Sequence, residues 1–165
     1  MEVESLSKAK QAPGSENTHK NKVHFVLAHS YTLFFILFLI GVSLDSIFPI
    51  KIFNASFMAP IGLIFLILAT VLILWAQKTS RDLKKENISK ETFCQGPYCY
   101  TRSPTHWGLF FLMLGFGLIG NALFVVLTTL ISLVISRFVF LDKQENILAE
   151  KYGAPYLEYK KSVRF

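Results

Sequence analysis

The stretch "WGLFFLMLGFGLIGNALFVVLTTLISLVISRFVFL", residues 107–141, decides the fold. As one helix it runs to about 52 Å at 1.5 Å per residue, far beyond a bilayer core of roughly 30 Å. Split in two, each half is slightly short of a full span. The break is visible: Gly115, Gly117 and Gly120 precede Asn121, and Gly-Asn suits a tight reversal. The stretch therefore reads as a hairpin of two helices, about 107–119 and 122–141. The first half is too short for a full crossing unless protein surrounds its end or the membrane thins.

Two further apolar blocks lie upstream. "FVLAHSYTLFFILFLIGVSL" (25–44) and "FMAPIGLIFLILATVLILWA" (57–76) carry no charge, and about 20 such residues span a bilayer as a helix. The composition agrees, with 52% hydrophobic residues, 16 Phe and a mean hydropathy of +0.43. The expected fold class is thus an all-α integral-membrane protein. It has four transmembrane or membrane-embedded helices, about 25–44, 57–80, 104–119 and 122–152, the last two forming the hairpin. A loop at 81–103 and a C-terminal amphipathic helix complete the domain 25–165. Residues 1–24 are polar with scattered Lys and read as a disordered tail. No cleavage site follows the first apolar run, which is therefore read as an anchor.

Charge orients the chain. Of 17 Lys and Arg only Lys51 falls in the 45–56 connection; the rest lie before 25, between 77 and 105, or from Arg137 onward. With four helices those regions share one side, which the positive-inside rule makes cytoplasmic, together with both termini. The expected location is a bacterial inner membrane or the endoplasmic reticulum. The net charge of +6 then reflects topology and anionic lipid, not nucleic acid, since the basic residues are dispersed and no nucleic-acid motif accompanies them. Asp45 and Lys51 mark the far-side loop, and Asn54-Ala55-Ser56 matches a glycosylation sequon. Trp75 and Trp107 sit at membrane edges, as aromatic belts do. Cys94 and Cys99 match no zinc spacing, so no metal is expected. In a reducing compartment no disulfide is expected either.

The polar chemistry sits in "GPYCYTRSPTHWG" (96–108), hard against the apolar hairpin. Pro97 favours an extended Gly96. Pro104 suits the first turn of a helix with Ser103 as its N-cap. A helix N-terminus beside Arg102 suits an anionic group such as a carboxylate or phosphate; the plain alternative is a cap and an Arg snorkelling to lipid phosphate. At the other end, "RFVFLDKQENILAEKYGAPYLEYKKSVRF" has apolar residues at helical spacing, with Gly153 as a helix stop. This tail reads either as an amphipathic segment on the membrane surface or as a wall closing over 96–108. In the second case an Arg-and-cap feature facing Gln144 and Glu145 clamps a zwitterionic ligand.

These two ends together resemble the isoprenylcysteine carboxyl methyltransferase family. "GPYCYTRSPTHWG" is similar to its G-P-Y-x-Y-x-R-H-P-x-Y-x-G signature. "QENILAEKYGAPYLEYKKSV" is similar to its ending E-E-x-x-L-x-x-x-[FY]-G-x-x-Y-x-x-Y-x-x-x-V. "SPTHWG" is also close to a form shared by phospholipid N-methyltransferases. The resemblance covers about residues 77–165. It implies an integral-membrane enzyme that uses S-adenosylmethionine on a lipophilic acceptor: a prenylcysteine-like carboxylate, a lipid amine or a thiol. It implies cofactor contacts at Tyr98, Arg102, Ser103, Pro104, Thr105 and His106, and at Gln144 and Glu145. Ser103 stands where the family has His, His106 where it has Tyr, and Gln144 where it has the first Glu. The family's substrate-carboxylate Arg corresponds to Phe140, with Arg137 one turn earlier as the nearest candidate. His106 is the candidate base if the acceptor must lose a proton. The alternatives are a non-catalytic relative that binds a lipid or partner, and an NADPH-dependent enzyme like the sterol reductases.

Overall fold

The computed structural model of the chain describes residues 13–51, 55–82 and 90–163. Among them there are helices and no strand. Helix α1 is Pro13–Ile47, α2 Ala55–Asp82, α3 Lys90–Phe93, α4 Pro104–Ile119, α5 Leu123–Ile135, α6 Asp142–Tyr152 and α7 Ala154–Ser162. A 3-10 turn, Gly96–Cys99, precedes α4, and a π-helical segment, Ser136–Leu141, joins α5 to α6 without a break. Three stretches are long and apolar enough to cross a membrane: Phe25–Ile47, Phe57–Ser80 and Leu123–Tyr152. Helix α4 is the shorter apolar fourth, about 24 Å long at 1.5 Å per residue. The protein is an integral-membrane helical bundle.

Helix α1 begins within the segment expected to be a disordered tail. Once an apolar span nucleates a helix, adding residues is cheap, and Glu16, Lys20 and Lys22 are good helix formers. Residues 1–12 lie outside the described residues, as does Asn54 of the sequon.

The four long elements pack in the order α1, α5, α4, α2. The hairpin turn has a full local explanation. Asn121 takes the left-handed conformation (φ 49°). Ala122 N–H then reaches back to the Gly117 carbonyl at 2.8 Å, and Asn121 N–H to that of Leu118 at 3.3 Å. This reciprocal pair closes the C-terminus of α4 in the Schellman manner. Helix α5 starts at Ala122, which has no side chain to cap it. Asp45 of α1 supplies the cap from across the bundle, accepting from Phe124 N–H at 3.1 Å and Val125 N–H at 2.9 Å.

Close backbone approach holds α2 to α4. A Cβ on Gly62 falls 2.8 Å from the Gly115 carbonyl, and one on Gly115 falls 2.8 Å from that of Gly62. In lipid no hydrophobic force drives helices together, so such small-residue contacts carry the packing. Outward faces are apolar and exposed, for example Leu63, Ile67, Leu74 and Val134, as a lipid-facing surface requires.

Cys94 and Cys99 are disulfide-bonded, contrary to the expectation of free thiols. Gly96 turns the chain with φ +54°, bringing the two Cα atoms within 4.4 Å, inside the range a disulfide bridges. Gly96 is therefore left-handed and not extended. It backs onto α2, where a Cβ falls 2.6 Å from Thr79 Oγ1 and 2.9 Å from Trp75 Nε1.

Candidate functional site

The turn Gly96–Cys99, the start of α4, the π segment and the C-terminal helices meet at one end of the bundle. The meeting has a built frame. Tyr159 of α7 donates its hydroxyl to the Tyr98 carbonyl at 2.7 Å. Phe93 packs edge-on against Tyr152 and Tyr156 and tilted against Tyr159, at centroid distances of 5.1, 5.5 and 5.8 Å. Tyr156, Tyr159 and Val163 are buried there. Burial, followed by the charge of Glu145 at Tyr156 and the Tyr98 phenol at Tyr159, pushes both phenols well above the ordinary value. They are uncharged hydroxyls. The tail is thus a wall docked over the 96–108 junction.

Inside that wall lies a buried ion cluster. Arg102 pairs with Glu145 at 2.8 Å, their side chains 9% and 4% exposed. Lys160 of α7 takes the other carboxylate oxygen at 2.7 Å and is 40% exposed. The Arg102–Glu145 contact has ion-pair distance without good hydrogen-bond direction, since Glu145 Oε1 has no well-aligned donor. Its strength is therefore Coulombic. One residue earlier, Gln144 Oε1 is buried with no hydrogen-bond partner. Chain order explains the pairing: Gln144 and Glu145 stand in the first turn of α6, carried inward by the π segment, a form that recurs at functional sites.

A second feature adjoins the first. A cavity of about 230 Å³ is lined by Ser103, His106 and Trp107 of the α4 start, and by Leu133, Ser136, Arg137 and Leu141. His106 is buried, and Ser30 Oγ of α1 lies 2.8 Å from its Nε2. Ser30 Oγ is 3.4 Å from Ser136 Oγ. The imidazole is flanked by the rings of Tyr31 and Phe34 at 6.0 and 6.2 Å. Ser103 occupies the N-cap position of α4, but its hydroxyl makes no cap bond; its carbonyl accepts from His106 and Trp107 N–H. That departs from the expected hydroxyl cap. Burial, followed by the Tyr31 phenol, raises the Tyr98 phenol above its ordinary value, with the Ser80 and Thr105 hydroxyls opposing. Pro104 is fully buried beneath it all.

So the residues singled out in the sequence fall into two neighbouring groups. Arg102 and Glu145 belong to the charged cluster, with Gln144 the residue before Glu145 on α6; Ser103, His106 and Arg137 line the cavity, Arg137 at its exposed side. Lys160, Ser30 and Ser136 were not singled out. A signal existed for the serines: polar residues within an apolar span face the bundle interior. Trp107, expected at a membrane edge, lines the cavity.

Fold and site together define an integral-membrane protein whose polar machinery is gathered at one end of a helical hairpin and roofed by its C-terminal helices. The chain belongs to the phospholipid methyltransferase family, whose model matches residues 57–155. No curated protein and no solved structure matches the chain. The family match leaves out α1, with Ser30 and Asp45, and most of α7, with Tyr159 and Lys160.

Proposed function

We propose that the protein transfers a methyl group from S-adenosylmethionine to an acceptor dissolved in the membrane. The observation that carries this reading is the bare, buried oxygen of Gln144, the residue next in sequence to the Glu145 that Arg102 pairs with. A buried acceptor without a partner costs about 1–3 kcal/mol. A ligand that brings an N–H or O–H donor to it and an anionic group to Arg102 removes that cost. The amino-acid end of adenosylmethionine, an ammonium next to a carboxylate, is such a ligand. Family membership supports the same cofactor.

When bound, the cofactor supplies a methyl group on a sulfonium, which a nucleophile displaces directly. The protein's task is then to align acceptor and methyl at about 3–3.5 Å and to exclude water. Trp107, Leu133 and Leu141 offer the acceptor an apolar wall, and Ser103, His106 and Arg137 offer its polar end hydrogen-bonding groups. The roof of α6 and α7 excludes water. No covalent intermediate and no nucleophilic side chain is required.

The engagement of both Glu145 oxygens by Arg102 and Lys160 favours the alternative, a relative that keeps the fold without turnover. Calorimetric titration of detergent-purified protein with adenosylmethionine and S-adenosylhomocysteine decides between them, followed by transfer of labelled methyl to membrane lipid. Micromolar binding, weakened about tenfold or more in Gln144→Met, and labelled lipid are the expected results. Binding without transfer to any lipid fraction supports the alternative. No binding, even in Gln144→Glu, refutes the cofactor assignment.

A further inference from the structure

His106, Ser30 and Ser136 form a chain whose protons can be counted. Ser30 is fully buried and Ser136 is 2% exposed. Their neighbours on α5 dispose of their own hydroxyl protons within the helix: Thr129 donates to the Val125 carbonyl and Ser132 to that of Thr128, both at 2.7 Å. Ser136 makes no such bond, and the Ser30 oxygen is its partner. A buried hydroxyl proton without an acceptor is costly. In the arrangement that places the Ser136 proton on Ser30 Oγ, 3.4 Å away, the Ser30 proton goes on to His106 Nε2. Nε2 is then the bare nitrogen, since a neutral imidazole has one N–H and one lone pair. No carboxylate pairs with His106 among the described residues, and a buried, unpaired imidazolium is disfavoured.

We infer that His106 is a neutral imidazole with its proton on Nδ1, and that it serves the cavity as a hydrogen-bond donor to an anionic oxygen, not as a base. The other polar groups lining the cavity agree. Arg137 offers only donors, and the Ser103 hydroxyl is not used as a cap. No acidic side chain among the described residues lines the cavity. It is built to take a carboxylate or phosphate attached to an apolar body. Ser30 is a positioning residue that acts through the ring, and it lies outside the stretch matched by the family. The tautomer stands apart from the methyltransferase reading; only the cofactor as source of the oxygen rests on that reading.

The test is nitrogen-15 NMR of histidine-labelled full-length protein in micelles. Ring nitrogens are correlated with carbon-bound protons, and His106 is assigned by the signals lost in His106→Asn. A protonated Nδ1 and a bare Nε2 are expected. Ser30→Ala should move the ring toward the Nε2–H form, and Ser30→Thr should restore it, while the other histidine signals stay in place as a check on folding. An Nε2–H tautomer or a doubly protonated ring in the unaltered protein overturns the assignment. Titrations with S-adenosylhomocysteine and, separately, short-chain phosphatidylglycerol identify the source of the oxygen. A His106 shift with the first assigns it to the cofactor side, and one with the second to a lipid phosphate. No shift with either overturns the docking half. In His106→Asn the amide N–H replaces Nδ1–H, so affinity for the active probe should hold within about threefold, while His106→Ala loses about tenfold or more. Equal loss in both also overturns the donor role.

Discussion

The ion cluster makes an unequal prediction for its two cations. Glu145→Gln keeps the volume of the side chain and removes its charge. Arg102, only 9% exposed, then loses the Glu145 carboxylate, and breaking a buried pair in this way costs about 3–5 kcal/mol. Lys160→Ala removes the partner that is 40% exposed. Solvent screens that pair, so its loss belongs with surface ion pairs at roughly 0.2–1 kcal/mol. The assay is limited proteolysis of the C-terminal helices in detergent, at protease levels low enough for cleavage to follow the open population. At about 1.4 kcal/mol per decade, Glu145→Gln should speed cleavage by roughly a hundredfold or more. Lys160→Ala should speed it by about fivefold at most. Similar accelerations in the two variants, or a Glu145→Gln rate within a few-fold of the unaltered protein, would refute the reasoning. The Arg102 charge would then not depend on Glu145 for its burial.

Three further outcomes follow from the packing. Asp45→Ala uncaps α5 and should lower stability by about 1–2 kcal/mol, read as an earlier thermal unfolding in micelles, with Asp45→Asn falling between it and the unaltered protein. Gly115→Val forces α2 off α4 at the 2.8 Å contact with the Gly62 carbonyl; overpacking of this kind costs about 1–3 kcal/mol or more, and the same melt should show it, whereas the exposed Leu63→Val should not. Burial raises the Tyr156 and Tyr159 phenols, so the folded tail holds protons that the undocked tail loses above pH ~10. Docking should thus be unaffected by these phenols below pH ~10 and weaken above it, and Tyr156→Phe with Tyr159→Phe together should flatten that alkaline loss in the proteolysis assay.

Much of the fold is legible in the apolar blocks. Length and uninterrupted hydropathy give the helices, and Gly120-Asn121 gives the hairpin reversal, because the bilayer leaves backbone polar groups few other solutions. The site is legible only in part. Arg102, Ser103, His106, Glu145 and Arg137 stand out as polar residues at an apolar edge, and the structure does gather them. Their partners do not stand out. Lys160 looks like one solvated lysine of several, and only the docking of α7 brings it to Glu145. Ser30, as a hydroxyl within an apolar span, signals only an interior-facing position, and the approach of α1 to α4 is what brings it to His106. The Cys94–Cys99 bond escapes a reading based on compartment, since it depends on a left-handed Gly96 that the preceding-proline rule argues against.

Asp45 also has a meaning for how the protein is made. Helix α5 cannot finish its own N-terminus, and bare N–H groups in or near hydrocarbon cost several kcal/mol each. In a chain made from its N-terminus, α1 leaves the ribosome before α5, so its carboxylate can be in place first. The hairpin then inserts against a prepared acceptor, and α2 waits with Gly62 for the backbone of α4. The order of helices along the chain is thus an order of assembly in which each late arrival meets a partner already seated.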